Sequence, residues 1–383
     1  MKDEKKAPKL RFKGFTDDWE QCKLGDVAGI VGGGTPSTKK SEYWNGNINW
    51  FTPAEIGNQI FVSHSQKKIT ELGLLKSSAK ILPAGTILFT SRAGIGNTAI
   101  LTRNACTNQG FQSIVPYSNK LDSYFIYSES AKLKRYGETM GSGSTFTEVS
   151  GKQMKKMSLH IPNINEQAKI GNMLKILDRT ITLHEEKKCL LERLKSALLQ
   201  KMFANKNGYP AVRFEGFDKA WKQSKLGEIT KVIASKPYIS TPSTHGNYLV
   251  IQQGDKPIAG FSNSNPFKNY NNITLFGDHT LSLFKPRSPF LIASDGIKIL
   301  SPSIEMNGLF YFYELEKYKP KSEGYKRHFT ILKKCKANFP TDIDEQKLIG
   351  NLLFRIDNLI TKQQLKMDKL NETKESLLQN MFI

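Results

Sequence analysis

This chain of 383 residues is poor in the side chains that build most catalytic and metal centres. Its four cysteines, Cys22, Cys106, Cys189 and Cys335, lie far apart with no Cys-x-x-Cys pair. That argues against a zinc site or a disulfide framework and reads as reduced thiols of a cytosolic protein. Six histidines are scattered, none paired at ligand spacing. No apolar run approaches the roughly 18 residues of a membrane span, and the charged start Met1–Lys6 has no apolar stretch behind it, so it is not a secretory signal. An amino-methyltransferase loop needs Asp/Asn-Pro-Pro-aromatic; the nearest segment, Ser264-Asn265-Pro266-Phe267, lacks the second proline. Gly32-Gly33-Gly34-Thr35-Pro36-Ser37-Thr38-Lys39 has the glycines of a phosphate-binding loop in the wrong order. Asp344-Glu345-Gln346-Lys347 resembles a nuclease carboxylate cluster locally, but its repeat mate Asn165-Glu166-Gln167-Ala168 lacks the Asp and the Lys, so a helix start explains both. Acid is scarce too. Against 56 Lys and Arg stand 35 Asp and Glu, a net charge of +21 that implies an anionic partner, nucleic acid before anionic membrane.

What the chain does contain, it contains twice. Pro8…Arg11-Phe12-Lys13-Gly14-Phe15, Trp19 and Lys23-Leu24-Gly25-Asp26 return 202 residues later as Pro210…Arg213-Phe214-Glu215-Gly216-Phe217, Trp221 and Lys225-Leu226-Gly227-Glu228. A second repeat has an offset of 179: Glu166-Gln167, Ile170-Gly171-Asn172, Leu174, Asp178 and Ile181 recur as Glu345-Gln346, Ile349-Gly350-Asn351, Leu353, Asp357 and Ile360. Asn163 and Asp342 have the spacing of capping boxes with Glu166 and Glu345, and Pro162 and Pro340 stand just outside the helices. Apolar residues then follow a 4-3 spacing for about five heptads in each copy, from Ile170 to Met202 and from Ile349 to Met381. Two helices of about 40 residues, each roughly 60 Å long, most simply bury these stripes against each other. His184 and Gln363 interrupt the stripes at equivalent places, so an antiparallel pair brings them together as a register contact.

Between the repeats, residues 29–160 and 231–338 show almost no mutual similarity. Both carry short β-type runs, among them 48–51, 86–90, 98–101, 113–115, 248–251, 280–284 and 290–292, separated by glycine and proline turns. Short helices are expected over 121–136 and 308–318. Two similar frames thus each hold a different mixed α/β or mostly β insert, an arrangement suited to reading two different things with one architecture.

The order of motifs resembles the specificity subunit of type I restriction-modification enzymes. It runs Gly14-Phe15…Trp19…Leu24-Gly25-Asp26, Gly33-Gly34-Thr35-Pro36-Ser37, Tyr43-Trp44, Ile48-Asn49-Trp50 and Leu82-Pro83-Ala84-Gly85-Thr86. It continues with Thr90-Ser91-Arg92-Ala93-Gly94-Ile95-Gly96, Thr107-Asn108-Gln109-Gly110-Phe111, Gly143-Ser144-Thr145-Phe146 and Ile161-Pro162…Glu166-Gln167. The second insert departs from the pattern, with Gln252-Gln253-Gly254-Asp255 and Ala293-Ser294-Asp295-Gly296 in place of the first insert's glycine loop and Ser-Arg-Ala-Gly-Ile-Gly segment. The resemblance implies an α+β fold of two α/β target recognition domains, residues 1–160 and 208–338. Two long helices, 161–207 and 339–383, would pair between them as an antiparallel coiled coil with a pseudo-two-fold internal repeat. It implies a subunit without catalysis of its own that reads a bipartite site in double-stranded DNA, directs methylation and restriction, sets the spacer with its helices and docks two methylation subunits, with restriction subunits joining. This chain would bind no cofactor or metal; S-adenosylmethionine, ATP and Mg would belong to the complex, which is expected in the cytoplasm and off the membrane.

Side chains that read base edges or hold phosphates give the candidate DNA contacts. In the first insert these are Thr35, Ser37, Lys39, Lys40, Ser91, Arg92, Asn108, Gln109, Ser142, Ser144 and Thr145. In the second they are Gln252, Gln253, Lys256, Arg287, Lys298, Lys326, Arg327 and His328. On the residues alone, two other classes stay open: a coiled-coil scaffold whose inserts bind proteins, and a methyltransferase or nuclease with its own recognition domains.

Overall fold

The computed structural model describes residues 7–57, 59–92, 94–141, 148–205, 207–322, 324 and 326–383. The chain forms two compact units, one of residues 1–183 with 367–383 and the other of residues 184–366. The division cuts both long helices, Ile164–Lys201 and Ile343–Met381, near their middles.

In the first unit, strand Glu20–Lys23 pairs antiparallel with Ser158–Ile161 and closes the insert at its base. Above it lies a five-stranded sheet in the order Ala28–Gly32, Gln112–Pro116, Ile87–Phe89, Thr98–Leu101, Phe61–Val62. A three-stranded sheet pairs Trp44–Phe51 with Lys67–Ile69 on one side and, in parallel, with Cys106–Thr107 on the other. The helix expected over 121–136 is two helices, Ser123–Ser128 and Ser130–Met140. The core joins Trp19, Phe125 and Leu133 to Ile170 and Leu174 of the first long helix, and to Leu377, Met381 and Phe382 at the end of the second.

The second unit repeats this plan. Lys222–Lys225 pairs antiparallel with Lys336–Phe339. A four-stranded sheet runs Thr230–Ile233, Ile297–Pro302, Thr274–Gly277, Leu283–Phe284. Tyr248–Ile251 pairs with Ile258–Ser262 and, in parallel, with Phe290–Ile292. Gly308–Tyr318 is helical as its sequence predicts. The strand expected from Thr280 starts at Leu283 instead, because the chain turns before it, with Leu281 in the left-handed region at φ 58°. The core joins Trp221, Phe310 and Leu332 to Ile349 and Leu353, and to Met202 and Phe203 at the end of the first long helix. Each unit therefore contains the start of one long helix and the end of the other.

The helix starts differ from expectation in one respect. Asn163 Oδ1 accepts from the Glu166 N–H at 3.1 Å, and Asp342 Oδ1 from the Asp344 and Glu345 N–H groups at 2.8 and 3.3 Å, as N-caps should. The glutamates do not close the capping boxes. Each turns to an arginine of the other repeat, as described next.

Candidate nucleic-acid interface

The frame under each insert is a set of paired bonds. Arg11 grips the buried Glu166 carboxylate with Nε and Nη2 at 2.7 and 2.8 Å; Arg213 grips Glu345 at 2.7 and 2.9 Å. Gln167 Oε1 accepts from the Asp122 N–H at 3.0 Å, and Gln346 Oε1 from the Asn307 N–H at 2.8 Å; these two residues cap the short helices beside them. Within the first unit, Asp178 takes the Tyr124 hydroxyl at 2.7 Å and the Lys374 ammonium at 2.6 Å. Within the second, Asp357 takes the Tyr313 hydroxyl at 2.6 Å and Lys195 at 2.9 Å. Burial first, and then the neighbouring aspartates, push both tyrosine pKa values up, so the hydroxyls stay donors. Burial alone would lower the Lys195 pKa, but Glu316 and Asp357 outweigh it and hold the ammonium charged. His184 Nδ1 lies 2.7 Å from Gln363 Oε1, the contact its sequence position predicts.

On this frame the first insert builds an exposed edge from three segments. Gly34 N–H donates to Thr107 O at 2.8 Å, and Ser91 N–H to Gly110 O at 2.8 Å. The glycines are needed for the approach: a Cβ on Gly33 would stand 1.9 Å from Asn108 O, and one on Gly34 2.3 Å from Ser78 Oγ. Trp50 Nε1 donates to Gly34 O at 2.8 Å and Trp44 Nε1 to Ser37 O at 3.1 Å, so two tryptophans in T-shaped contact hold the loop from beneath. At the surface, the Thr35 hydroxyl donates to Gln109 Oε1. Ser37, Lys39 and Lys40 are exposed on the same loop, with Lys40 over the Tyr43 ring at 5.2 Å. Arg92, half-buried, stands 3.9 Å from Glu148. Asn108 spends its Oδ1 on the Gly110 N–H at 2.8 Å. Ser91 is fully buried and acts through its backbone. Ser142, Ser144 and Thr145 lie outside the described residues.

The second insert scatters its candidates. Gln252 Nε2 donates to Lys256 O at 2.8 Å, closing a hairpin turn on which Lys256 is exposed. Arg287 stacks 4.7 Å above Phe354 of the second long helix. Gln253 Oε1 accepts from the His279 N–H at 3.2 Å. Lys298 Nζ donates to Asp295 O at 3.0 Å and stands 3.9 Å from Asp278 Oδ2. Lys326 and Arg327 are exposed, whereas His328 is fully buried, its N–H donating to Asp278 O at 2.8 Å. His328 is thus an anchor inside the domain, not a surface group.

Backbone bonds reveal a segment that sequence reading missed. Ser240 N–H donates to Ile292 O at 2.9 Å, Ala293 N–H to Ile251 O at 2.8 Å and Asp278 N–H to Gly296 O at 2.8 Å. The first insert makes the same three bonds with Gly34 to Thr107, Asn108 to Phe51 and Ser91 to Gly110. Ser240-Thr241-Pro242-Ser243-Thr244 therefore stands where Gly34-Thr35-Pro36-Ser37-Thr38 stands. The shared Thr-Pro-Ser-Thr was the signal; the exchange of Gly34 for Ser240 hid it.

Among the described residues, no cluster of three or more His, Cys, Asp and Glu could hold a metal ion, and no helix is long and apolar enough to cross a membrane. Residues 16–193 and 218–370 match the family described as type I restriction modification DNA specificity domain. The chain is 35% identical over 225 residues to the type I restriction enzyme MjaIX specificity subunit of Methanocaldococcus jannaschii, covering 56% of this chain and 52% of that one. It is 32% identical over 182 residues to the EcoR124I/EcoR124II specificity subunit of Escherichia coli, covering 45% and 43%. The chain spans about half the length of these curated relatives. Its fold is similar to the crystal structure of the type I restriction-modification system S subunit from M. genitalium, with a TM-score of 0.69 and 15% identity over 98% of this chain and 99% of that one. The matched segments cover most of the chain, so this chain belongs to the type I restriction-modification DNA specificity family.

Proposed function

We propose that this chain is the DNA-reading subunit of a type I restriction-modification complex and carries out no chemistry itself. Each recognition domain reads one half of a bipartite site in double-stranded DNA. The observation that carries this reading is one bonded frame built twice around two unlike inserts, each with a Thr-Pro-Ser-Thr loop that ends in exposed Ser and Thr. The charge of +21 supplies sequence-independent attraction to phosphates, and the loop hydroxyls and amides supply the groups that read base edges. Two methylation subunits dock on the helices and restriction subunits join them in the cytoplasm; S-adenosylmethionine, ATP and Mg serve those partners. At 38 and 39 residues, or about 57 Å each at 1.5 Å per residue, the helices are long enough to set the unspecified gap between the half-sites.

The test is an exchange of residues 29–160 for the matching insert of a relative, in the full chain co-expressed with its methylation subunits. Mapping of methylated sites is expected to show one half of the motif replaced and the other unchanged. A change in both halves, or in neither, refutes modular reading.

A further inference from the structure

We infer that the base-reading edge of the second recognition domain is Thr241–Thr244 together with the turn Ser294–Gly296, and that Asp295 selects a cytosine there. This rests on the reading above, that each domain reads base edges in one half of the DNA site, and takes the major groove as the one read.

The placement comes from the backbone. In both domains a strand pairs in parallel with the strand just before the turn, Phe51 with Thr107 and Ile251 with Ile292. With the three equivalent backbone bonds described above, these pairings put Thr241 and Ser243 at the positions of Thr35 and Ser37. The turn after Ile292 then takes the place of Asn108–Gly110, one residue longer. Thr241 to Thr244 are all exposed, and so is Asp295.

The chemistry of the two turns differs. The first offers the Gln109 amide, steadied by the Thr35 hydroxyl. The second offers the Asp295 carboxylate, which makes no hydrogen bond or ion pair among the described residues. Lys298 binds the backbone oxygen of Asp295, not its side chain. The turn itself is braced. A Cβ on Gly296 would stand 2.9 Å from Gln253 Nε2, and Gln253 Oε1 is fixed by the His279 N–H. Gln253 and Lys298 are therefore positioning residues. A carboxylate facing DNA is repelled by every phosphate, so its place there is repaid by a base-edge donor. In the major groove the donor a carboxylate characteristically accepts from is the cytosine N4 amino group.

The test uses the full chain assembled with its methylation subunits, with genome-wide mapping of methylated sites and competition binding to duplexes changed one base pair at a time. Asp295→Asn is expected to relax one cytosine of one half-site, lowering discrimination there by about 5- to 150-fold. Thr241→Val is expected to alter the same half-site, and Asp255→Asn, an exposed carboxylate on the neighbouring hairpin turn, to leave the motif unchanged. Unaltered discrimination in Asp295→Asn, or Thr241→Val acting on the opposite half-site, overturns the inference while a bipartite wild-type motif still supports the function. A wild-type complex that methylates without a bipartite motif overturns both.

Discussion

In the first compact unit a half-buried carboxylate near the insert's helix is paired; in the second its fully buried counterpart is not. Glu129 and Glu314 stand seven residues after their helix caps, Asp122 and Asn307, and each is followed three residues later by a lysine. Glu129 meets Lys132 at 3.1 Å. Glu314 is fully buried, with no donor to either oxygen among the described residues. A similar asymmetry marks the frame. Glu345 takes Trp221 Nε1 at 3.3 Å as well as Arg213, whereas Trp19 Nε1 is buried without a partner among the described residues and Glu166 takes Arg11. The lesson is that the arginine, glutamine and tyrosine bonds that tie each insert to its helices are kept in both units, while the tryptophan contact and the pairing of the carboxylate behind the helix cap differ between them.

The largest test of that distinction is to cut the arginine bonds. Arg11→Ala leaves the Glu166 carboxyl buried with its bidentate partner gone, a situation that costs about 3–5 kcal/mol. Arg213→Ala strands Glu345 likewise, but Trp221 still donates to it, so the loss should be smaller by about 1 kcal/mol. Denaturant unfolding of the two full-length variants measures the difference. Losses below about 1 kcal/mol in both would show that the bidentate pairs do not hold the frame.

How much of this was readable beforehand depends on the range of the interactions. The two long helices, the helix Gly308–Tyr318 and the meeting of His184 with Gln363 were legible, because period, caps and the constant offset are local or self-referential. Glu166 and Glu345 were misread as capping-box partners because that role is also local, and the arginines that take them lie 155 and 132 residues away. Residue type at turns marked a candidate edge in the first insert, where Thr35, Ser37 and Gln109 come together, but in the second it favoured charge. Charge led to Arg287, which lies on a ring, and to Lys298, which braces a turn. The loop at Thr241 is uncharged, and its shared Thr-Pro-Ser-Thr stands out only once backbone pairing has aligned the two inserts.

The unpaired Glu314 sharpens the comparison through pH. Burial raises its pKa well above 4.5 in the folded chain. In that range the folded state binds more protons than the unfolded state, so stability is highest in acid and falls as pH rises past 4.5 towards the folded value. Glu314→Gln removes this dependence and is expected to stabilise the second unit by about 1 kcal/mol at pH 8, with little effect at pH 4. Glu129→Gln should stabilise less, because Lys132 already offsets part of the burial and loses its partner. Thermal melts across pH decide it; an equal gain from both substitutions would mean that the pairing of Glu129 has no thermodynamic content.

The smallest effect concerns the helix pair. His184 is half-buried and Gln363 nearly fully buried, and their 2.7 Å contact replaces an apolar pair in the stripe. A polar contact in such a seam fixes register at some cost in stability. Farther along, Lys195 already fixes the second unit's helix segments through Asp357 and Glu316, both at 2.9 Å, and Lys374 fixes the first unit's through Asp178. These pairs limit how far the helices can slide once the central contact is gone. His184→Leu with Gln363→Leu should therefore keep thermal stability or raise it by up to about 1 kcal/mol, with the looser register confined to the central turns. Cysteine pairs placed on facing positions there, and oxidised, report the register: wild type should trap one pairing, the double variant neighbouring pairings as well. A single trapped pairing in the double variant, or a stability loss above about 2 kcal/mol, would show that His184 and Gln363 hold the helices together rather than select how they align.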